Sequence, residues 1–242
     1  MIESTYLVAL LAAIAGALAG SVLHSISLRL PGELPALGPP PCHSCNTVSP
    51  VFALIPGVLP QCANCGARAT WHKPVTEIAA AGLAGLAIFS QGVTLTGIAT
   101  AVFCLNLLLI LRIDWQHHLI FTITIWPGVL IAFALAGLES FSALLSSAIA
   151  AAGAGLLFIL FFALAVWIYR KHALGFGDIL LAILIGAMAR IELVGGALLL
   201  GMILAALGGL FLIAIGKRTR YDYIPYGTYL CLGTMIVLLL PR

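Results

Sequence analysis

Between residues 142 and 168 the sequence reads SALLSSAIAAAGAGLLFILFFALAVWI, without one charged side chain. Roughly 20 apolar residues of helix cross the hydrocarbon core of a bilayer. Hydrocarbon offers the backbone no hydrogen-bond partner, so a run like this must close its own bonds as a helix. It has company: apolar stretches near 5–27, 75–90, 95–112, 119–137, 142–168, 179–190, 193–215 and 224–240 predict about eight spans, the second and sixth of them short. Only 8% of the chain is charged and 62% is hydrophobic, against about 25% charged in a soluble domain. The expected fold class is an all-α polytopic membrane protein whose main partner is the lipid bilayer.

Charge placement orients the layout, because cytoplasmic loops near helix ends collect Lys and Arg. The chain starts MIESTY, with Glu3 where a cleavable secretory signal would carry positive charge, and its first nearby positive charge is Arg29. With the N-terminus outside and eight spans, Arg29, Arg68, Lys73, Arg112, Arg170, Lys171, Lys217, Arg218 and Arg220 fall on one face, and only Arg190 and Arg242 on the other. Both termini are then expected outside a bacterial inner membrane. The net charge of +3 describes a cytoplasmic face and gives no reason to expect nucleic-acid binding.

One long segment is not membrane-like. LRLPGELPALGPPPCHSCNTVSPVFALIPGVLPQCANCGARATWHKP is rich in Pro and Gly and has too little periodicity to build a core. Cys42 and Cys45 form one C-x-x-C, Cys62 and Cys65 a second, and 16 residues separate the pairs. That spacing fits a structural zinc site of four thiolates. Two disulfides, a redox dithiol or an iron–sulfur centre are the other readings. A cytoplasmic loop, where thiols stay reduced, disfavours the disulfides. His43 and His72 lie close enough to replace a cysteine, and Cys104 and Cys231 read as small buried hydrophobes. The expected organisation is a first transmembrane helix (1–28), a cytoplasmic tetracysteine zinc domain (29–74) and a transmembrane core (75–242).

Three of the eight acidic residues, Glu77, Asp114 and Asp178, sit at cytoplasmic ends of spans. Ionisable groups at membrane depth are functional candidates. Asp178 in LGFGD has a plain structural reading as a helix N-cap, but Gly175 and Gly177 allow close backbone approach beside it. Asp114 in RIDWQHHLI stands at the same depth on the same face. Two carboxylates brought together can share a proton, one taking it from water while the other assists the carbonyl and then the leaving nitrogen. Glu77 is a candidate for a supporting role, or an acid stabilised by a helix start. His117 and His118 are candidates to tune Asp114, beside Trp115 at a membrane interface. Arg112 and the KRTR run at 217–220 read as orienting charges. A proton- or ion-coupled transporter with a zinc-binding loop is the alternative, although its acids would be expected near the midplane.

Taken together, these residues resemble the type IV prepilin peptidases, bifunctional membrane aspartic peptidases with a G-x-G-D motif. GSVLHSISLRLP at 20–31, the paired C-x-x-C loop, KPVTEIAAA, RIDWQHHLI, LGFGD and IPYGTYLCLG at 224–233 are similar to the family's motifs in order. The resemblance implies that Asp114 and Asp178 are catalytic. It also implies that the enzyme removes a short basic leader from prepilins or pseudopilins at the cytoplasmic membrane face, then methylates the new N-terminal amine with S-adenosylmethionine. The tetracysteine loop accompanies members with both activities. The chain departs from the family at LIFT, where many members have Pro-Asp, at Leu180, often Lys, and at Tyr226, Gly227 and Thr228, usually Phe-Gly-Pro.

Overall fold

A computed structural model describes residues 2–68, 70–169, 175–216 and 225–240. The described residues form seven α-helices: α1 (Ile2–Arg29), α2 (His72–Gln91), α3 (Leu95–His117), α4 (Thr122–Glu139), α5 (Phe141–Tyr169), α6 (Phe176–Ala214) and α7 (Tyr226–Leu239). The first six are long and apolar enough to cross a membrane, and α7 is a shorter apolar helix. The molecule is therefore a multi-pass helical membrane protein. Among the expected charges, Arg170, Lys171, Lys217, Arg218, Arg220 and Arg242 lie outside the described residues.

The chain folds as two compact units, one reaching to Leu109 and one from Ile110 to Leu240. In the first, α1 and α2 pack antiparallel through small residues. A Cβ on Gly16 would lie 2.8 Å from the Ala84 Cβ, and one on Gly20 would lie 2.9 Å from the Ala80 Cβ. Lipid tails are as apolar as leucine, so helices in a bilayer gain most from this kind of close backbone approach.

The second unit carries the expected sixth and seventh spans, 179–190 and 193–215, as the two limbs of α6, which are separate helices divided at the non-helical Arg190 (φ 56, ψ −177). A straight helix of its 39 residues would measure roughly 58 Å, about twice the hydrocarbon core. The break resolves the mismatch by giving two limbs with different partners. Residues 176–189 pack on α5, where the Ser147 hydroxyl donates to the Ala187 carbonyl at 2.6 Å. Residues 191–214 pack on α7, where a Cβ on Gly201 would lie 2.8 Å from the Leu230 Cα. At the corner the Arg190 guanidinium pairs with Glu139 at the end of α4, and the Ser146 hydroxyl accepts from the Ile191 N–H at 3.1 Å.

The first limb is buried at every position from Asp178 to Ala189 except Ile183. It is the core of its unit, which explains the unbroken apolar run that follows Asp178. The aspartate is the one acid on that limb and stands at its open end.

Candidate active site and metal centre

Asp114 lies in the last turn of α3 and is 1% exposed. Its Oδ2 accepts two hydrogen bonds from one residue, the backbone N–H of Thr228 at 2.6 Å and the Thr228 hydroxyl at 2.9 Å. Thr228 is the third residue of α7, and the N–H groups of a first turn have no partner within their own helix. The start of α7 therefore presents an unused donor to a carboxylate, an arrangement that helix dipoles also favour.

Asp178 is the third residue of α6 and is 3% exposed. The cap position itself belongs to Gly175, three residues earlier than the capping role read from sequence. The Gly175 N–H donates to the Asp178 Oδ2 at 3.0 Å, and the Asp178 N–H donates back to the Gly175 carbonyl at 3.1 Å. The first bond is the acid's half of a capping box, and a backbone turn bond stands where a cap side chain would complete it.

Ile120, in the turn between α3 and α4, brings the two acids into one neighbourhood. A Cβ on Gly177 would lie 2.8 Å from the Ile120 Cβ, while one on Gly227 would lie 3.0 Å from the Ile120 Cδ1 and 3.1 Å from the Asp114 Oδ2. A side chain at Gly177 would have to displace Ile120 and one at Gly227 would crowd Ile120 and Asp114, so both glycines serve close packing at this site. Asp114 and Asp178 are near enough to act on each other's charge. Tyr226 faces Phe158 at 6.3 Å between ring centres and feels the charge of Asp178. Cys231 is fully buried beside both acids. His118 acts electrostatically on Asp114 and donates its backbone N–H to the Asp114 carbonyl at 2.9 Å, whereas His117 is exposed.

Reading the sequence misses Thr228 and Ile120 as members of the site. Thr228 stands out only as a departure from proline, which has neither an N–H nor a hydroxyl and so could make neither bond. Ile120 carries no sequence signal at all.

Glu77 belongs to the other unit, in the second turn of α2, and is held by three groups. Lys73 forms an ion pair with it, the Ser21 hydroxyl of α1 donates to it, and the Gly57 N–H donates to its Oε2 at 2.9 Å. The Lys73 ammonium also donates to the Ile55 carbonyl at 3.0 Å. Lys73 is 1% exposed. Through Glu77 and the Ile55 carbonyl it ties the loop at 51–57 to α1 and α2.

The four loop cysteines meet. Cys42 and Cys65 have their Sγ atoms 3.6 Å apart, Cys45 and Cys62 3.5 Å apart, and all four lie within 4.8 Å of one another. None is in a disulfide. Zinc–sulfur bonds of about 2.3 Å in a tetrahedron place sulfurs about 3.8 Å apart, so the cluster fits that metal. His72 is outside the cluster and stacks on Trp71 at 4.1 Å.

The loop is built from two copies of one turn, PCHSCNTV at 41–48 and QCANCGAR at 61–68. In each copy the first cysteine's N–H donates to a residue five positions on, Cys42 to Thr47 at 2.9 Å and Cys62 to Ala67 at 2.8 Å. The residue after each second cysteine has positive φ, 56° at Asn46 and 72° at Gly66. Those are the residue types that tolerate it. Hydrogen bonds from the Thr47 hydroxyl and N–H bring the Cys45 thiol down to about 6. The Ala67 N–H pulls Cys65 down, but the neighbouring Cys45 and Cys42 sulfurs outweigh it and push the thiol up to about 12. The Cys42 thiol is lowered as well, chiefly by the backbone N–H groups of Ser44 and Cys45.

Fold and site define a polytopic helical membrane protein with two buried carboxylates at adjoining helix ends. Residues 101–213, a little under half of the chain, match the type IV leader peptidase family. A Bacillus subtilis (strain 168) protein called prepilin leader peptidase/N-methyltransferase is 25% identical over 236 residues, 93% of this chain and 91% of the relative. Proteins of the same name from Pseudomonas putida and Pseudomonas aeruginosa are 23% and 25% identical over 183 residues, 74% of this chain. The chain covers 62% of the length of each Pseudomonas protein. No solved structure matches it.

Proposed function

We propose that this protein is a membrane aspartic peptidase that cleaves the leader from type IV prepilins or pseudopilins and then N-methylates the new N-terminus. The observation that carries the reading is the meeting of Asp114 and Asp178 around Ile120, from helices far apart in sequence. The match to the leader peptidase family and the names of its relatives supply the substrate class.

In the proposed reaction one carboxylate is ionised and the other protonated. The anion takes a proton from a water molecule as the water oxygen bonds to the scissile carbonyl carbon, and the C=O π electrons move onto oxygen. The protonated partner donates a hydrogen bond to that oxygen. The C–N bond then breaks, the leaving nitrogen takes the partner's proton, and a carboxylic acid forms on the other fragment. A proton passing between the two carboxyls resets the pair. Burial of both groups keeps bulk water from competing for that proton.

The second step uses S-adenosylmethionine, which supplies an electrophilic methyl carbon to the freed amine. Cys42, Cys45, Cys62 and Cys65 would hold one zinc ion that closes the loop without entering the chemistry. The loop and the dyad face the cytoplasm in a bacterial inner membrane, the orientation that the basic residues favour. A transporter reading finds no support, since both acids stand in end turns of their helices.

The test is to incubate detergent-purified protein with a leader-bearing pilin peptide, with and without S-adenosylmethionine, and weigh the products. The expected result is loss of the leader mass in both reactions and gain of one methyl group only with the donor. An uncut peptide would overturn the peptidase reading, and a cut but unmethylated product would overturn the second activity.

A further inference from the structure

We infer that Thr228 is a positioning residue that makes Asp114 the base of the pair and leaves Asp178 as its proton donor. This rests on the aspartic-peptidase reading above and divides the labour within it.

The two carboxylates are not equivalent in their partners. Asp114 receives two donors on a single oxygen, at 2.6 and 2.9 Å, both from Thr228 at the start of α7. Among the described residues Asp178 receives one, from the Gly175 N–H at 3.0 Å. Donors aimed at a carboxylate favour its charged form, and a charge-assisted bond is roughly twice as strong as a neutral one. When the pair carries one negative charge, that charge therefore rests on Asp114. Asp178 stands at the mouth of the buried first limb of α6, where a second charge would have apolar neighbours and Asp114 against it.

Geometry gives the same division. Among the described residues Thr228 donates only to the Oδ2 of Asp114, which leaves the Oδ1 to take the water proton in this assignment. The N–H and the hydroxyl come from one residue on a short helix, so the carboxylate plane is fixed as well as charged. In the first step, then, Asp114 accepts the water proton while Asp178 hydrogen-bonds the carbonyl oxygen. In the second, Asp178 gives its proton to the leaving nitrogen.

Thr228→Val keeps the shape and the N–H but deletes the hydroxyl. It should lower kcat roughly 10-fold, the effect of one hydrogen bond to a charged group, with KM unchanged. Thr228→Ser should restore kcat to near wild type, which a purely packing role would not require. Infrared spectra of protein carrying ¹³C-labelled Asp carboxyls provide a second measurement that does not depend on these variants. The band of the protonated carboxyl should disappear in Asp178→Asn and persist in Asp114→Asn.

If both Asn variants still cleave the pilin peptide, the aspartic-peptidase reading itself fails. If they are inactive but Thr228→Val turns over at the wild-type rate, or if the protonated band is lost in Asp114→Asn instead, only the role given to Thr228 is overturned.

Discussion

The cysteine loop and the aspartate pair are both small clusters of ionisable groups, yet they are assembled in opposite ways. The loop gathers its four sulfurs from within 23 residues of one another, on two copies of a turn that each carry their own hydrogen bonds. The dyad draws on α3, α6 and α7, and its central hydrogen bond joins residues 114 apart. A local cluster survives on turn chemistry and a metal. A non-local one survives only while three helices stay packed, so the two should fail under different insults.

The largest separation between them should appear on metal loss. Cys42→Ser, or stripping zinc with a chelator, should remove bound metal entirely and disorder the loop, because a closed structural site contributes folding energy outright. Metal analysis should fall from about one equivalent to none, while some leader cleavage persists. Full loss of cleavage with the helices intact would show that the two regions are coupled.

A smaller effect is expected at the buried Lys73–Glu77 pair, which anchors the loop to α1 and α2. Glu77→Ala leaves the Lys73 ammonium buried without its partner and should destabilise the first unit by about 3–5 kcal/mol, read from denaturation in detergent. Replacing both residues with apolar ones of similar volume should recover much of that loss. A single Glu77 variant as stable as wild type would contradict the burial seen for this pair.

Gly177→Ala tests the other region. Its Cβ would meet Ile120 at 2.8 Å, and overpacking of this kind costs about 1–3 kcal/mol. Because Gly177 adjoins Asp178, cleavage should fall while zinc content stays unchanged. The smallest effect belongs to Gly66→Ala in the loop. Positive φ there costs about 1 kcal/mol for a residue with a Cβ, with open space around it, so metal affinity should weaken only slightly.

The same contrast explains what could be read from the sequence. The apolar runs were legible because lipid leaves the backbone no alternative to helix, and the four cysteines because ligand spacing is local. Asp114 and Asp178 stood out as acids in a chain that avoids charge. The division at Arg190 was legible too, because Arg190 and Glu192 interrupt the apolar run there, but the direct join of the two limbs without a loop was not. The burial of Lys73 was hidden behind an ordinary pattern of positive charge. Thr228 and Ile120 were invisible as site residues, since nothing local in GTY or LIF says which distant carboxylate they will meet. The repeat of the loop turn was present in PCHSC and QCANC, with Asn46 and Gly66 in register, and its signal is the pairing of a positive-φ residue with each C-x-x-C.

The most direct test of the dyad is the mass of a leader-bearing pilin peptide after incubation with Asp114→Asn and with Asp178→Asn. Asn preserves size and much of the hydrogen bonding but can neither accept the water proton nor donate one as an acid. Each variant should insert, keep its zinc and leave the peptide uncut, and the double variant should be no worse than either single because the two act as one unit. A cleaved product at near the wild-type rate from either variant would contradict the shared-proton mechanism.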